Sequence, residues 1–151
     1  MANGEHIHQE NSNRPLFCLL IKNTWQKLSR YYNQRLAGFD LTVPKALLLL
    51  EISPGGGESP KSLGTKLDLE SSSMTGLLNR LEKKGLIERR RDPRDRRGLL
   101  IFLTPNGIIA RETIKSLVNE MDHKLQGALS PDEIKVFRKV STVIGKQLLS
   151  S

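Results

Sequence analysis

The amino-acid sequence predicts a mainly α-helical fold with one small β-hairpin. Apolar residues recur at steps of three and four along most of the 151 residues, which is typical of amphipathic helices. One segment instead carries two short strand-like runs on either side of the turn sequence DPRDRR. Proline, glycine and hydroxyl residues mark most boundaries between these elements. The predicted order is four helices, the hairpin and two further helices.

The composition of the chain favours a polyanionic partner. The net charge is +8, and hydrophobic residues make up only 37%, which favours an elongated shape or a core shared between subunits. No apolar run approaches the roughly 18–20 residues of a membrane span, so nucleic acid is favoured over a membrane. The first residues lack the pattern of a secretory signal, and the single Cys18 cannot form an internal disulfide. These features predict a cytoplasmic protein.

The N-terminal third is predicted to contain a tail and two helices. Residues 1–13 are polar and are expected to form a flexible tail. Thr42 is a candidate N-cap for the second helix, whose apolar run Ala46–Leu50 is expected to be buried on most sides. The first helix, residues 15–37, has one apolar face that consists of Phe17, Ile21, Trp25, Leu28, Tyr32 and Leu36.

Two short helices follow a glycine-rich segment. SPGGGESP lacks the Lys-Ser/Thr of a phosphate-binding loop and is interpreted as a turn. Ser59 and Pro60 are typical of the start of a helix. The sequence DLES interrupts this helix, and a second one is expected from Ser71 to Lys84, with Gly85 ending it in a left-handed conformation. The pattern predicts two helices joined by a tight turn.

The hairpin is predicted from residues 86–91 and 98–104. The second run is apolar, so we expect it to lie against a core while the charged tip stands in water. Thr104-Pro105 is typical of a helix start, and SPDE at residues 130–133 has the pattern of a capping box. The two last helices carry apolar stripes, namely Ala110, Ile114, Leu117, Met121 and Leu125, then Ile134, Phe137, Val140, Ile144 and Leu148.

Positive charge is concentrated between residues 61 and 97. This quarter of the chain has eleven basic and six acidic residues, a net +5 of the total +8. Such a concentration is costly unless a polyanion neutralises it, and the release of counterions then drives binding. A solvated charged face would mix the signs more evenly. The pattern therefore predicts contact with nucleic-acid phosphates.

A helix-turn-helix inserts its second helix into the DNA major groove, and an arginine at the tip of a wing enters the minor groove. Asp95 is expected to hold the side chain of Arg97 extended for this purpose. The small hydroxyl side chains and the glycine of the second helix allow close approach to a groove wall. The predicted DNA-binding residues are Ser71, Ser72, Ser73, Thr75, Gly76, Asn79, Arg80, Arg94, Arg96 and Arg97.

The sequences LNRLEKKGLIERRRDPRDRR and LTPNG, within residues 41–107, resemble the winged helix-turn-helix of MarR-type (multiple antibiotic resistance) regulators. The resemblance implies one domain over residues 14–151, with a winged helix-turn-helix at about 41–104 and dimerisation helices at about 15–37 and 105–150. It also implies a homodimer on a palindromic operator of double-stranded DNA, acting as a repressor that a small-molecule effector releases. Asp68 and Gly76 depart from residues common in the family.

The first helix carries the candidate sensor residues. Organic-hydroperoxide sensors of this family have a reactive cysteine near the position of Cys18, and Tyr32 keeps a similar spacing. Two further tyrosines of that branch are replaced by Lys22 and Val43, so a small hydrophobic residue buried at the dimer seam is the competing interpretation. Trp25 and Tyr32 are candidate residues of an effector pocket, with packing against the core as the alternative.

Other functions are disfavoured by the sequence. A protein-interaction module without specific DNA binding would have an uncharged wing, which six arginines argue against. No nucleophile–base pair or phosphate loop is recognisable, so the protein is not expected to be an enzyme and no cofactor is expected. His6 and His8 lack further ligands, and His123 has no cysteine partner, so no metal site is expected either.

Overall fold

The computed structural model describes residues 16–149 and has the predicted order of elements. Its α-helices are α1 (Phe17–Leu36), α2 (Val43–Glu51), α3 (Pro60–Leu67), α4 (Ser71–Lys83), α5 (Pro105–Ala128) and α6 (Pro131–Leu149). The strands are β1 (Ile87–Arg91) and β2 (Leu99–Leu103), and a 3-10 turn, Ala37–Phe39, follows α1. The mainly α fold with a hairpin is therefore confirmed. The tail predicted for residues 1–13 lies outside the described residues.

Two compact units make up the described chain, with the boundary between Val43 and Pro44. In the first unit, the N-terminal half of the predicted apolar face of α1 is exposed, and Phe17 and Trp25 keep 68% and 52% of their surface in solvent. Leu36 at the end of the helix is buried. The periodicity thus identified the helix correctly, and burial of its apolar face increases towards its C-terminal end.

The apolar run of α2 is buried on most sides, as its sequence predicts. Ala46, Leu48 and Leu49 are buried, whereas Leu47 is 40% exposed. An apolar run that continues around a helix presents a residue to the side that the fold leaves open.

The helix-turn-helix forms as predicted. Ser59 accepts a hydrogen bond from the Ser62 amide at 3.0 Å, and Pro60 occupies the first helical position of α3. Asp68 ends α3 in the left-handed region with φ 52°, a conformation that usually favours glycine. The apolar face of α4 consists of the buried residues Met74, Leu78 and Leu81.

The hairpin is a wing whose burial falls from base to tip. Ile87 pairs with Leu103 at the base and Arg91 with Leu99 near the tip. Ile101 has no exposed surface, whereas Leu99 is 44% exposed. As predicted, the second strand lies against a core at one end while the charged tip stands in water.

The glycine-rich segment between α2 and α3 is more than a turn. The Ile101 amide donates to the Glu58 carbonyl at 2.8 Å, and the Gly57 amide donates to the Ile101 carbonyl at 3.0 Å, so Glu58 adds a bridge to the hairpin. Gly56 has φ 68°, and a Cβ there would lie 2.1 Å from the Phe102 ring. The segment therefore needs glycine both for its backbone conformation and for close approach to Phe102.

The sequence LTPNG fixes the start of α5 against the base of the wing. Thr104 accepts from the Gly107 amide at 3.0 Å, and its hydroxyl donates to the carbonyl of Gly85. A Cβ on Gly107 would lie 1.8 Å from the Leu86 carbonyl oxygen. Glycine is thus required here by contact between two backbones, which explains why the motif ends in this residue.

The apolar stripes of the last two helices become exposed along the chain. Ile114 and Met121 of α5 are buried, but Leu125 is 47% exposed. In α6, Phe137 and Leu148 are 67% and 72% exposed. These helices fold as predicted. Much of the apolar surface near the C-terminal end of the described chain is exposed, because no other described part of the chain packs on it.

The predicted capping box begins α6. The Ser130 amide donates to the Glu133 carboxylate at 2.7 Å, and the Glu133 amide donates to the Ser130 hydroxyl oxygen at 3.3 Å. The backbone hydrogen bond from Ser130, together with the side-chain hydrogen bond, lowers the pKa of Glu133 below that of an ordinary glutamate.

Among the helices of residues 16–149, none combines the length and apolar character needed to cross a membrane.

Candidate nucleic-acid interface

The N-terminal turn of α4 presents a row of small polar side chains. Ser71, Ser72, Ser73 and Thr75 are all exposed. The Thr75 hydroxyl donates to the Ser71 carbonyl at 2.8 Å, which leaves its oxygen as an acceptor. The Gly76 Cβ position has no neighbouring atom within 4 Å, so the described chain leaves space on this side of the helix. Such a surface lets a helix approach a groove wall closely.

The side chain of Asn79 forms a hydrogen bond within the protein. Its side-chain oxygen accepts a hydrogen bond from Arg89 of β1 at 2.7 Å, which directs the amide nitrogen of Asn79 elsewhere as a donor. The Arg89 guanidinium also pairs with Glu82, one helical turn further along α4. Arg89 therefore ties the predicted recognition helix to the wing. Arg80 lies beside Asn79 in sequence and is exposed.

Arg90 is likewise engaged within the protein. It pairs with Glu88 on the same strand, and its guanidinium carbon lies 4.4 Å from the centre of the Phe102 ring. A cation over an aromatic face is attracted by the electron-rich ring. Two of the six wing arginines, Arg89 and Arg90 on β1, thus contact acceptors or a ring within the protein; they are called the base arginines below.

The other end of the wing presents Arg94, Arg96 and Arg97 to solvent. All three side chains are exposed, as is Arg91 at the end of β1. Because like charges repel, four exposed guanidinium groups within seven residues form a surface that favours a polyanion. This cluster, Arg91, Arg94, Arg96 and Arg97, is called the tip arginines below.

Two aspartates organise the backbone beneath the tip arginines. The Arg94 amide donates to the Asp92 carboxylate at 2.8 Å, and the Arg97 amide donates to the Asp95 carboxylate at 3.0 Å. The Gly98 amide then closes the loop by donating to the Asp95 carbonyl at 2.9 Å. The two bonds to carboxylates are Asx turns, in which an aspartate side chain takes the place of a backbone acceptor.

The contact between Asp95 and Arg97 differs from the expected one. The sequence suggested that Asp95 holds the Arg97 side chain extended, and the hydrogen bond that the structure shows goes to the Arg97 main chain. A carboxylate two residues upstream reaches the backbone amide with little loss of side-chain freedom. Asp95 therefore fixes where the Arg97 side chain begins and leaves its guanidinium exposed.

The candidate sensor residues of α1 do not form one group. Trp25 lines an open groove of about 610 Å³ together with Gln26, Ser29, Arg30, Asn33 and Gln34. The Ser29 hydroxyl is buried and has no hydrogen-bond partner among the described residues. Tyr32 is half-buried with its ring edge-on to Tyr31 at 5.6 Å, outside the lining of this groove. Cys18 is exposed in the first turn of the helix.

Arg111 is a residue that the sequence analysis did not identify. It lies in α5, and its Nε donates to the Ile52 carbonyl at 3.1 Å while its Nη2 donates to the Leu50 carbonyl at 3.3 Å. The end of α2 is thereby attached to α5. The sequence contains one indirect indication that the end of α2 needs a distant partner. No glycine follows its last residue to end the helix, and Ser53-Pro54 comes shortly after it.

Metal ligands do not cluster within residues 16–149, where no three His, Cys, Asp or Glu side chains lie close enough to hold an ion. His6 and His8 lie outside the described residues. The exposed side-chain groups of α4 and the wing tip that are predicted to bind DNA are hydroxyls, one side-chain amide and guanidinium groups.

Comparisons with known proteins agree with this geometry. The family model for MarR matches residues 41–99, from α2 through the tip of the wing. The HTH-type transcriptional regulator SarZ of Staphylococcus saprophyticus is 32% identical over 129 residues, which cover 83% of this chain and 88% of SarZ. The chain belongs to the MarR family. It is a winged helix-turn-helix transcriptional regulator of that family.

Two further relatives bear on the function of this MarR protein. The organic hydroperoxide resistance transcriptional regulator of Bacillus subtilis is 32% identical over 108 residues, covering 72% of this chain and 71% of the regulator. The crystal structure of S. aureus MepR in complex with DNA superimposes with a TM-score of 0.82 at 26% identity, covering 89% of this chain and 99% of that one. Similarity thus extends well beyond residues 41–104, the winged helix-turn-helix, which is called the winged lobe below.

Proposed function

We propose that this MarR protein is a cytoplasmic homodimer that binds a palindromic DNA operator and represses transcription until a small-molecule effector releases it. The observation that carries the proposal is the division of roles within the wing. The tip arginines are exposed on a hydrogen-bonded loop, and the exposed serines of α4 lie on the adjacent helix that Arg89 ties to β1. This combination suits insertion of α4 into a major groove and of the tip into a minor groove.

The homodimer is supported by apolar surface that one chain leaves uncovered. Phe17 of α1, Leu125 of α5 and Phe137 and Leu148 of α6 are each between 47% and 72% exposed. Burial of apolar surface is worth about 25 cal/mol per Å², so helices with such faces favour self-association. In this proposal residues 15–37 and 105–150 form the dimer, and residues 41–104 form the DNA-binding lobe.

DNA-binding residues are proposed on the same basis. Ser71, Ser72, Ser73, Thr75 and Gly76 approach the major groove, and the free amide nitrogen of Asn79 and the Arg80 guanidinium extend that surface. Arg94, Arg96 and Arg97 contact phosphates or the minor groove, with Asp95 fixing the loop. Since Arg89 already uses the Asn79 oxygen, Asn79 acts towards DNA as a donor only.

The direct experiment is footprinting of the purified protein on the promoter upstream of its own reading frame, together with light scattering to measure its mass. We expect protection of two half-sites about one helical turn apart, roughly 34–36 Å, by a species of twice the chain mass. A shuffled duplex of equal length and composition is the control. Equal affinity for both duplexes, or a monomer on the DNA, would refute the proposal.

The effector is proposed to bind along α1 in the groove lined by Trp25 and Arg30. An indole face, a guanidinium and the unpartnered Ser29 hydroxyl suit a planar molecule with a negative group and a hydrogen-bond donor or acceptor. Replacing Trp25 by Ala should leave DNA affinity unchanged and weaken release by the effector. Loss of DNA binding in this variant would show that the tryptophan serves folding or assembly instead.

A second candidate function is sensing of organic peroxides through Cys18. The exposed thiol and the similarity to the Bacillus subtilis hydroperoxide regulator favour it. The thiolate would attack the peroxide, giving a sulfenic acid and the alcohol. Treatment of the wild type and of Cys18→Ser with cumene hydroperoxide tests this candidate. Release of only the wild type from DNA supports it, and equal retention of both excludes it.

A further inference from the structure

The C-terminal end of α2 depends on a residue far away in the sequence. The last carbonyl groups of an α-helix have no donors within the helix and need other partners. After α2 the chain continues as Ile52-Ser53-Pro54, and proline has no amide hydrogen to donate. The donors to the Leu50 and Ile52 carbonyls come instead from Arg111, 61 and 59 residues away.

The Arg111 side chain is held on all sides of its guanidinium. Its Nη1 pairs with Glu112 at 3.0 Å, while Nη2 binds the Leu50 carbonyl in α2 and Nε binds the carbonyl of Ile52, the residue directly after α2. Only 17% of the side chain is exposed. A planar guanidinium fixes direction as well as distance, and a positive charge at the end of a helix is favourable. Arg111 is therefore a defined attachment between α2 and α5.

The same part of α5 has a second attachment. About two turns before Arg111, Thr104 is hydrogen-bonded to the Gly85 and Leu86 carbonyls that follow α4, and one turn before it Gly107 packs against the Leu86 carbonyl. One attachment alone leaves α5 free to pivot about it. Two attachments at different points along the helix fix the direction in which α5 leaves the winged lobe.

We propose that Arg111 is a positioning residue for operator binding, although it lies in the dimerisation part of the chain and is not expected to touch DNA. The inference depends on the proposed dimer on a palindromic site. There the direction of α5 sets the separation of the two α4 helices, which must match the spacing of the half-sites. Arg111 thus contributes to the choice of spacing rather than to the reading of bases.

Two properties distinguish this role from a phosphate contact. Removing a residue that neutralises one phosphate changes the slope of log K against log salt by about 0.9. Removing a positioning residue leaves that slope unchanged. It changes instead how strongly the protein distinguishes operators with different half-site spacing.

The experiment compares Arg111→Met with Lys115→Met, an exposed lysine one turn further along α5 that loses the same charge. Both are measured on the footprinted operator and on versions with one base pair inserted or removed between half-sites. We expect Arg111→Met to bind the natural operator about ten-fold more weakly, to keep the wild-type salt slope and to lose most of the spacing preference. Lys115→Met should behave as the wild type.

If circular dichroism shows that Arg111→Met is unfolded, Arg111→Lys takes its place in the experiment. A lysine keeps the charge but cannot bridge two carbonyls with a planar fork, so an intermediate spacing preference is expected. A folded variant with full affinity and unchanged spacing preference would overturn the proposal, and so would a salt slope reduced by about one. If the wild type itself does not prefer the palindrome to shuffled DNA, the proposed function fails, and this result is separate from any effect of Arg111.

Discussion

The base and the tip of the wing use the same residue type for different purposes. At the base, Arg89 is bound by Asn79 and Glu82, and Arg90 by Glu88 and the Phe102 ring. At the tip, the side chains of Arg94, Arg96 and Arg97 are exposed, and the hydrogen bonds of that loop come from the main chain to Asp92 and Asp95. The base arginines give the wing its attachment, and the tip arginines give it its charge.

This difference shows what decides the role of an arginine. Acceptors on the neighbouring helix and strand engage the guanidinium groups at the base, so their charge is compensated within the protein. Aspartates at the tip accept from backbone amides, which orders the loop without engaging the arginine side chains. Net charge counted along the sequence cannot separate these cases, because both regions have mixed signs.

The largest effect is expected from removing a tip arginine. Arg97→Ala should weaken operator binding about ten-fold or more, because the variant lacks an exposed guanidinium suited to the narrow minor groove. The melting temperature should not change, since the side chain is exposed. Fluorescence anisotropy at physiological salt measures the affinity, with Lys115→Ala as the control for removal of one exposed charge. Unchanged affinity would remove Arg97 from the interface.

The next effect concerns the base. Arg89→Met keeps the aliphatic stem but removes the bonds to Asn79 and Glu82, so the free energy of unfolding should fall by about 1 kcal/mol. Urea denaturation of this variant, of Glu82→Gln and of the double variant gives the coupling between the two residues. If the losses in unfolding free energy of the two single variants add up to that of the double variant, the Arg89–Glu82 pair contributes nothing to the attachment of the wing.

A smaller effect on DNA affinity is expected from substitution of Asp95, and its direction distinguishes the charge of this residue from its role in the loop. Removing a negative charge should by itself strengthen binding to DNA, whereas loss of the Asx turn should weaken it by disordering the loop under Arg97. We expect Asp95→Ala to bind about three-fold more weakly, by roughly 0.6 kcal/mol. Asp95→Asn keeps the acceptor oxygen and should bind at least as well as the wild type. Tighter binding by both variants would show that charge outweighs loop order.

The smallest effect lies far from the wing, in the capping box of α6. Because hydrogen bonds lower the pKa of Glu133, its contribution to stability is complete above the ordinary glutamate pKa of about 4.3 and is lost as pH falls through the lowered value. Hydrogen exchange at the start of α6 should therefore increase in acid for the wild type. Glu133→Gln should lack this dependence, whereas Asp132→Asn should retain it, and the opposite outcome would assign the effect to Asp132.

Much of the fold could be predicted because local signals and tertiary contacts agree. Ser59-Pro60, Thr104-Pro105 and the Ser130–Glu133 box all begin helices where the sequence predicted them. Gly85 has φ 70° at the predicted end of α4. Each of these signals acts within about four residues, so the sequence contains the whole interaction.

The remaining features depend on partners that are distant in sequence. Nothing near Arg111 indicates that it binds the end of α2, and nothing near Glu58 indicates a bridge to Ile101. The roles of Arg89 and Arg97 also could not be separated, because only the fold brings Asn79 and Glu82 to one and leaves the other exposed. The extent of burial of Leu47 and Phe137 depends likewise on which surfaces the fold covers.

The salt dependence of operator binding tests the division of the wing most directly. The measurement compares the wild type with a tip variant, in which Arg94, Arg96 and Arg97 are changed to glutamine, and with a base variant, in which Arg89 and Arg90 are changed to glutamine. The tip variant should lower the slope of log K against log salt by about 2 to 3, and the base variant should leave it unchanged. An equal reduction of the slope in both variants, or a reduction confined to the base variant, would contradict the account.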